Sequence, residues 1–96
     1  MNRDEIIAFL RDFKARHKDQ YGIISLGVFG SVARGDIRDD SDVDVYVTTK
    51  TPDPFALVHI KDDLEKRLKR RVDIVRFREK MNPFLKRRIE KEGVRV

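Results

Sequence analysis

The sequence predicts a small α/β domain, in which a mixed sheet of three or slightly more strands is flanked by helices. Three observations predict this class: helical and strand patterns alternate along the chain, each pattern is short, and Gly and Pro residues separate them. The predicted order is α-β-α-β-α-β-α. A chain of 96 residues is the size of one small domain, so residues 1–96 are expected to form a single unit.

The first three elements are predicted from capping and apolar spacing. Asn2 and Glu5 have the three-residue spacing of a capping box, and apolar residues at helical spacing continue to about Arg16. The apolar run 23–29 is bounded by glycines and predicts a buried strand. Residues 31–34 predict a single helical turn.

The middle of the chain has the pattern of a strand, a helix and a second strand. Valines at positions 43, 45 and 47 alternate with polar residues, which is the period of a strand. A helix is predicted from about Pro54 to Lys69, and Val72 to Phe77 predicts the next strand. A strand, helix and strand of this length indicate two parallel neighbouring strands joined by a crossover.

The last helix is predicted to begin at a capped proline. Asn82 is a favourable N-cap residue and Pro83 fits the first helical position. We expect Phe84, Leu85 and Ile89 to point inward from this helix.

Composition excludes several chemistries and is compatible with a phosphate-bearing partner. There is no Cys, which excludes disulfides, Cys-ligated zinc and thiol nucleophiles, and the two His residues lie far apart in sequence. No apolar run approaches the roughly 18 residues of a membrane helix, so a cytoplasmic protein with no membrane partner is expected. The net charge is +5, and residues 58–96 carry most of the basic side chains. A basic surface favours phosphate ligands, although a solvated charged shell explains it equally well.

Three aspartates are predicted to meet at one edge of the sheet. Asp42 and Asp44 are two residues apart at the start of a strand, so their side chains leave the same face. Asp73 has the same place at the start of the next strand, which is predicted to be its parallel neighbour. Carboxylate oxygens without His or Cys suit Mg²⁺ or Mn²⁺. Two such ions would stabilise the attacking and leaving oxygens of a phosphoryl displacement.

Gly30 and Ser31 are predicted to bind phosphate opposite these carboxylates. Glycine lets the backbone approach an anion closely, and the turn that Ser31 opens offers free N–H groups. If the first strand is antiparallel to the second, this turn lies beside Asp42 and Asp44.

Other polar residues have simpler interpretations. Asp36, Asp39 and Asp40 are expected to be loop and turn residues. Tyr46 shares a face with Asp44 and is expected either to pack against a base or to cover the sheet. The basic run of residues 66–71 is expected to be a solvated helix end, so nucleic acid is a possible but not a favoured partner.

The motif resembles that of a known enzyme family. Gly30-Ser31, ten further residues and then Asp42-x-Asp44 are similar to the signature of DNA polymerase β-type nucleotidyltransferases. The runs at 30–36 and 41–45 resemble most closely the minimal nucleotidyltransferases, which are the antitoxin partners of HEPN-domain toxins. The resemblance extends over nearly the whole chain and implies a polymerase β-like fold.

The resemblance also implies roles for the matching residues. Gly30 and Ser31 match the triphosphate-binding pair, with Arg34 in the same motif. Asp42 and Asp44 match the two metal-binding carboxylates. Asp73 matches a third carboxylate, which acts as the base toward the acceptor hydroxyl.

The implied function is transfer of AMP from ATP to a tyrosine hydroxyl of a HEPN toxin, with Mg²⁺ as cofactor. Two alternatives remain open at the level of the sequence. The chain could neutralise a toxin by covering it without catalysis, or transfer nucleotides to RNA or to a small molecule.

Overall fold

The computed structural model describes residues 1–38 and 40–96. Its elements in chain order are α1 (Arg3–Tyr21), β1 (Ile23–Phe29), α2 (Gly30–Arg34), β2 (Val43–Thr49), α3 (Pro54–Leu68), β3 (Val72–Arg76), α4 (Pro83–Glu92) and β4 (Val94–Arg95). The predicted α/β class and the predicted order of the first seven elements are confirmed. The turn predicted at Asp39 lies outside the described residues.

The four strands found in the described residues form one sheet in the order β3-β2-β1-β4. As predicted, β2 is parallel to β3. Strand β1 is antiparallel to β2, which is the condition under which Gly30 and Ser31 were expected to lie beside Asp42 and Asp44. Strand β4 lies on the other side of β1, where Val94 pairs with Val28 and Arg95 pairs with Gly27. The predicted order lacked this strand, because two residues are too few to show an alternating pattern.

Four predicted boundaries shift by one to five residues. Helix α2 begins at Gly30, one residue before its predicted start. Helix α1 continues past Arg16 to Tyr21 and ends where Gly22 takes a φ of 65° and donates its N–H to the Lys18 carbonyl. Helix α3 stops before Lys69, whose own φ is 54°. Strand β3 ends one residue before Phe77. Among the described residues, none of the helices combines the length and apolarity needed to cross a membrane.

The sheet separates two apolar layers. The larger layer lies between the sheet and helices α1 and α3, and its fully buried members include Ile6, Leu10, Val28, Val45, Ile60 and Leu64. The smaller layer lies on the opposite face of the sheet, because side chains alternate along each strand. It consists of Phe29, Tyr46 and Ile89, with partly buried neighbours from β3 and α4. This smaller layer is the side of the sheet on which Asp44 lies.

Helix α4 covers the smaller layer and positions its charged end near β1. The Asn82 side chain accepts hydrogen bonds from the N–H groups of Phe84 and Leu85, each at 3.0 Å, as the predicted N-cap requires. Ile89 is buried and Leu85 is partly buried, but Phe84 is 77% exposed, so its predicted inward position is wrong. Leu85 and Ile89 are four residues apart and share a face, whereas Phe84 is five residues from Ile89 and points about 140° away.

Candidate active site

Gly30 brings the backbone into close contact with a carboxylate of β2. The residue before it, Phe29, pairs with Asp44 across the antiparallel β1–β2 ladder. Gly30 has a φ of +70°, and a Cβ at this position would overlap Oδ2 of Asp44 and lie 3.2 Å from its Cγ. Both the backbone angle and the lack of space therefore require glycine here.

The three predicted aspartates come from adjacent segments. Asp44 and Asp73 are directly paired in the parallel β2–β3 ladder. Asp42 lies two residues before Asp44, immediately before β2 begins. Asp42 and Asp73 are exposed, while Asp44 is half-buried. The topology thus places all three residues at the same end of neighbouring strands.

The pKa of Asp44 reflects this concentration of negative charge. Burial raises the pKa of Asp44, and the charge of Asp73 and then that of Asp42 raise it further. Arg88 and Arg34 oppose this rise in the pKa of Asp44. A cation beside Asp44 would relieve the repulsion.

These carboxylates fit a divalent cation that takes its remaining ligands from elsewhere. Hard carboxylate oxygens are the donors that Mg²⁺ prefers. Within residues 1–38 and 40–96, no group of three His, Cys, Asp or Glu side chains is arranged to hold a metal ion. An open arrangement agrees with Mg²⁺ chemistry, because Mg²⁺ is usually bound through one or two carboxylates together with water and substrate phosphates.

The donors beside Asp44 already hold an anionic group, the carboxylate of Glu92. Its Oε1 accepts hydrogen bonds from the Gly30 N–H at 3.0 Å and from Arg88 Nε at 2.9 Å. Arg34 Nη1 donates to Oε2 at 3.2 Å. Burial tends to raise the pKa of Glu92, but the hydrogen bonds from Arg88, Gly30 and Arg34 together lower it. Gly30 and Arg34, to which phosphate binding was assigned, thus surround an anion, and Ser31 follows Gly30 as the second residue of α2.

Two residues of this arrangement, Arg88 and Glu92, were not assigned from the sequence. Both lie on α4, about 60 residues from the Gly30 motif. In the sequence, Arg88 ends a basic run at 86–88 and stands four residues before Glu92, a spacing that predicts an ion pair on one face of a helix. That signal could not show that the pair packs against Gly30.

The loop before β2 is held by a member of the basic run. Arg70 Nη1 donates to the carbonyl oxygens of Arg38 at 2.7 Å and Ser41 at 3.2 Å. The Ser41 hydroxyl also accepts a hydrogen bond from the Arg38 N–H at 2.9 Å. These contacts hold the backbone on both sides of the turn that leads into Asp42. The basic run was expected to be solvated throughout. Arg70 departs from this expectation, because it is partly buried and holds the loop.

The other carboxylates of this region lie outside the cluster. Asp36 follows α2, accepts a hydrogen bond from Arg34 Nε at 3.3 Å and has a side chain that is 69% exposed. Asp40 lies in an exposed turn. Both positions confirm the predicted loop and turn roles.

The Tyr46 ring packs on the sheet and is not exposed to stack on a ligand. It is 8% exposed, and its ring lies so close to Gly27 that a Cβ there would overlap it. Its ring also packs against Phe29 and Phe77, at centroid distances of 6.5 and 6.0 Å. Of the two interpretations from the sequence, sheet cover is correct.

The fold and the site define a nucleotidyltransferase domain. A sequence profile described as the nucleotidyltransferase domain matches residues 6–96. The chain therefore belongs to the nucleotidyltransferase domain family, and its activity is that of a nucleotidyltransferase.

Relatives with curated names are protein adenylyltransferases. The protein MJ1379 of Methanocaldococcus jannaschii, provisionally named a protein adenylyltransferase, is 34% identical over 95 residues, which are 96% of this chain and 95% of that protein. The protein adenylyltransferase MntA of Thermococcus cleftensis is 36% identical over 73 residues, which are 75% of this chain and 74% of that protein.

Solved structures share the fold across its full length. A structure described provisionally as a minimal nucleotidyltransferase has a TM-score of 0.80 and 31% identity, and the match covers 100% of this chain and 97% of that one. A toxin–antitoxin structure with AMP-PNP has a TM-score of 0.72 and 26% identity, with 99% of this chain and 72% of that chain covered. The predicted resemblance to minimal nucleotidyltransferases is confirmed.

Proposed function

We propose that this chain is a metal-dependent adenylyltransferase that moves AMP from ATP to a hydroxyl of a partner protein. The observation that carries the proposal is the contact between Gly30 and Asp44, because it joins an anion-binding backbone to a cluster of carboxylates. Membership in the nucleotidyltransferase family gives the reaction class. The names of the curated relatives support a protein as the acceptor.

The triphosphate of ATP would bind at the donors that surround the Glu92 carboxylate. We assign the β- and γ-phosphates to Gly30, Ser31 and Arg34, and Arg88 adds a second guanidinium at the same place. The phosphates would take over hydrogen bonds that Glu92 now accepts. The structural neighbour with AMP-PNP, an ATP analogue, supports ATP as the donor.

Asp42 and Asp44 would hold two Mg²⁺ ions, with Asp73 beside them. When bound, Mg²⁺ would neutralise charge on the phosphates and on the attacking and leaving oxygens. The raised pKa of Asp44 supports this assignment, since burial and the charges of Asp73 and Asp42 disfavour its ionised form in the absence of a cation.

Asp73 is the proposed general base. The acceptor oxygen forms a bond to the α-phosphorus, and its proton passes to the Asp73 carboxylate. The bond between the α-phosphorus and the oxygen bridging to the β-phosphate breaks, and pyrophosphate leaves with the electron pair. Arg34 and Arg88 lie where they can hold the negative charge of the departing pyrophosphate.

The proposed acceptor is a tyrosine hydroxyl of a HEPN-domain toxin, which this chain would inactivate as its antitoxin. The resemblance of residues 30–36 and 41–45 to minimal nucleotidyltransferase antitoxins supports this assignment. The toxin–antitoxin neighbour supports it as well, because the match covers 99% of this chain.

The test is label transfer from ATP to the proposed partner, a HEPN-domain protein purified together with this chain. With Mg²⁺ present, α-³²P-labelled ATP should label the partner and γ-³²P-labelled ATP should not, since pyrophosphate leaves. The Asp42→Asn/Asp44→Asn double variant should transfer no label. Asp19→Asn/Asp62→Asn is the matched control, because it removes two exposed carboxylates from helices α1 and α3.

Two results would contradict the proposal. Label that persists in the Asp42→Asn/Asp44→Asn variant would show that these carboxylates are not the catalytic ones. An unlabelled partner that is still neutralised by both variants would show that the chain acts by covering its toxin.

A further inference from the structure

Phe84 is an exposed aromatic residue that the packing of α4 does not require. Its side chain is 77% exposed, while Leu85 and Ile89 make the apolar contacts of the helix. Asn82 caps the helix through backbone N–H groups, so the cap does not depend on the Phe84 ring either. The ring is therefore available to a ligand.

Phe84 lies in a groove that continues from the proposed phosphate site. The groove has a volume of about 540 Å³ and is lined by Arg34, Phe84, Arg87, Arg88, Lys91 and Glu92. This volume is within the range of small-molecule sites. Three of the lining residues, Arg34, Arg88 and Glu92, also take part in the contacts around Gly30. The groove and the phosphate site thus form one continuous surface.

The spacing of residues along α4 gives the distance between Phe84 and the phosphate site. Phe84, Arg88 and Glu92 are successively four residues apart, so they lie along one face over about 12 Å. The Glu92 end contacts the Gly30 N–H, and the Arg88 guanidinium lies between the two ends. The nucleoside of a nucleotide whose phosphates bind at Gly30 and Arg88 would therefore be within reach of the Phe84 ring.

We propose that Phe84 stacks on the nucleobase of the donor nucleotide, which makes the α4 groove a base-binding site. The inference rests on the proposed function, because it takes its phosphate end from that assignment. The charge of the groove is complementary to the ligand, since Arg34, Arg87, Arg88 and Lys91 are cationic. Stacking uses the π face that every nucleobase has, so ATP and GTP are expected to bind with similar affinity.

Calorimetric titration of the full chain with Mg²⁺-ATP and with inorganic tripolyphosphate tests the proposal. Phe84→Ala should weaken ATP binding by roughly 5- to 100-fold. It should leave tripolyphosphate binding unchanged, because tripolyphosphate has no base. Phe55→Ala is the matched control. Phe55 is 74% exposed and lies on α3, the helix on the opposite side of the sheet from α4. Its replacement should change neither the affinity for ATP nor the affinity for tripolyphosphate.

A tryptophan variant gives a second, independent measurement. The chain has no Trp, so Phe84→Trp introduces a single reporter that can still stack. ATP should change its fluorescence and tripolyphosphate should not. The Phe55→Trp variant should respond to neither ligand.

Each contrary result identifies which claim fails. Wild-type ATP affinity in Phe84→Ala would overturn the base site, and if that variant also loses transfer, the groove belongs to the acceptor protein. Equal weakening of ATP and tripolyphosphate binding would also overturn it, because Phe84 would then act on the phosphates. If wild-type protein binds no ATP at all, the proposed function fails together with the base site.

Discussion

Replacement of Gly30 by alanine tests whether the close contact with Asp44 is the basis of activity. The added methyl group would overlap Oδ2 of Asp44 and lie 3.4 Å from Arg88 Nη2, so the carboxylate must move. The φ of +70° adds a separate cost, because alanine is strained in this region by roughly 1–2 kcal/mol. The overlap adds roughly 1–3 kcal/mol, as overpacking typically does, for a total loss of unfolding free energy of about 2–5 kcal/mol.

Gly35 separates the two effects of this substitution. It also has a positive φ, of +81°, but a Cβ there would meet only Arg3 Cδ at 4.0 Å. Gly35→Ala should therefore lose about 1–2 kcal/mol of stability from backbone strain alone and keep its transfer activity. Gly30→Ala should be less stable than Gly35→Ala and should lose transfer as well.

Urea unfolding of both variants gives the stability comparison. Label transfer to the proposed HEPN partner is then measured under conditions where both variants are folded. Wild-type transfer by Gly30→Ala would refute the reasoning, because the carboxylate would then tolerate displacement. Equal loss of transfer in Gly35→Ala would also refute it, since backbone strain alone would explain the effect.

Three further predictions concern charge, packing and the loop before β2. Because the pKa of Asp44 is raised in the folded protein, chiefly by burial and then by Asp73, its ionised form costs stability near neutral pH, and this cost disappears as the pH falls through the folded pKa. In urea unfolding at neutral pH, Asp44→Asn should therefore be at least as stable as wild type. The difference in unfolding free energy between the two proteins should shrink in acidic buffer. A large destabilisation of Asp44→Asn at neutral pH would contradict this prediction. In the same assay, Leu64→Ala should lower the free energy of unfolding by about 2–5 kcal/mol, because Leu64 is fully buried between α3 and the sheet. A loss below about 1 kcal/mol would contradict this, because the surrounding side chains would then have closed the cavity. Arg70→Ala should lower transfer by about 10- to 100-fold, as loss of a supporting contact near a metal site typically does. Arg71 is exposed, so Arg71→Ala should keep wild-type transfer. Equal transfer by the two variants would mean that the loop is held without Arg70.

The elements that the sequence predicted well are those with local signals. The capping box at Asn2, the alternation from Val43 and the glycines around β1 each act within a few residues, so they predicted their elements closely. The approach of Gly30 to the two aspartates was expected only on the condition that β1 is antiparallel to β2, because antiparallel pairing places the end of one strand beside the start of the other.

What the sequence could not predict depends on packing between distant segments. Glu92 accepts the Gly30 N–H because α4 crosses the sheet, and nothing local to either residue indicates that contact. Phe84 was misassigned because an apolar residue beside Leu85 looks like part of the same stripe. Strand β4 forms because β1 offers a free edge to Val94 and Arg95, a segment too short to show an alternating pattern in the sequence.

Intact-mass spectrometry of the proposed HEPN partner after co-expression tests most directly whether the carboxylate cluster catalyses AMP transfer. Co-expression with the wild-type chain should increase the partner's mass by a whole number of AMP units, and co-expression with Asp73→Asn should leave it unchanged. An unmodified but neutralised partner in both cases would contradict catalysis and show that binding alone is sufficient.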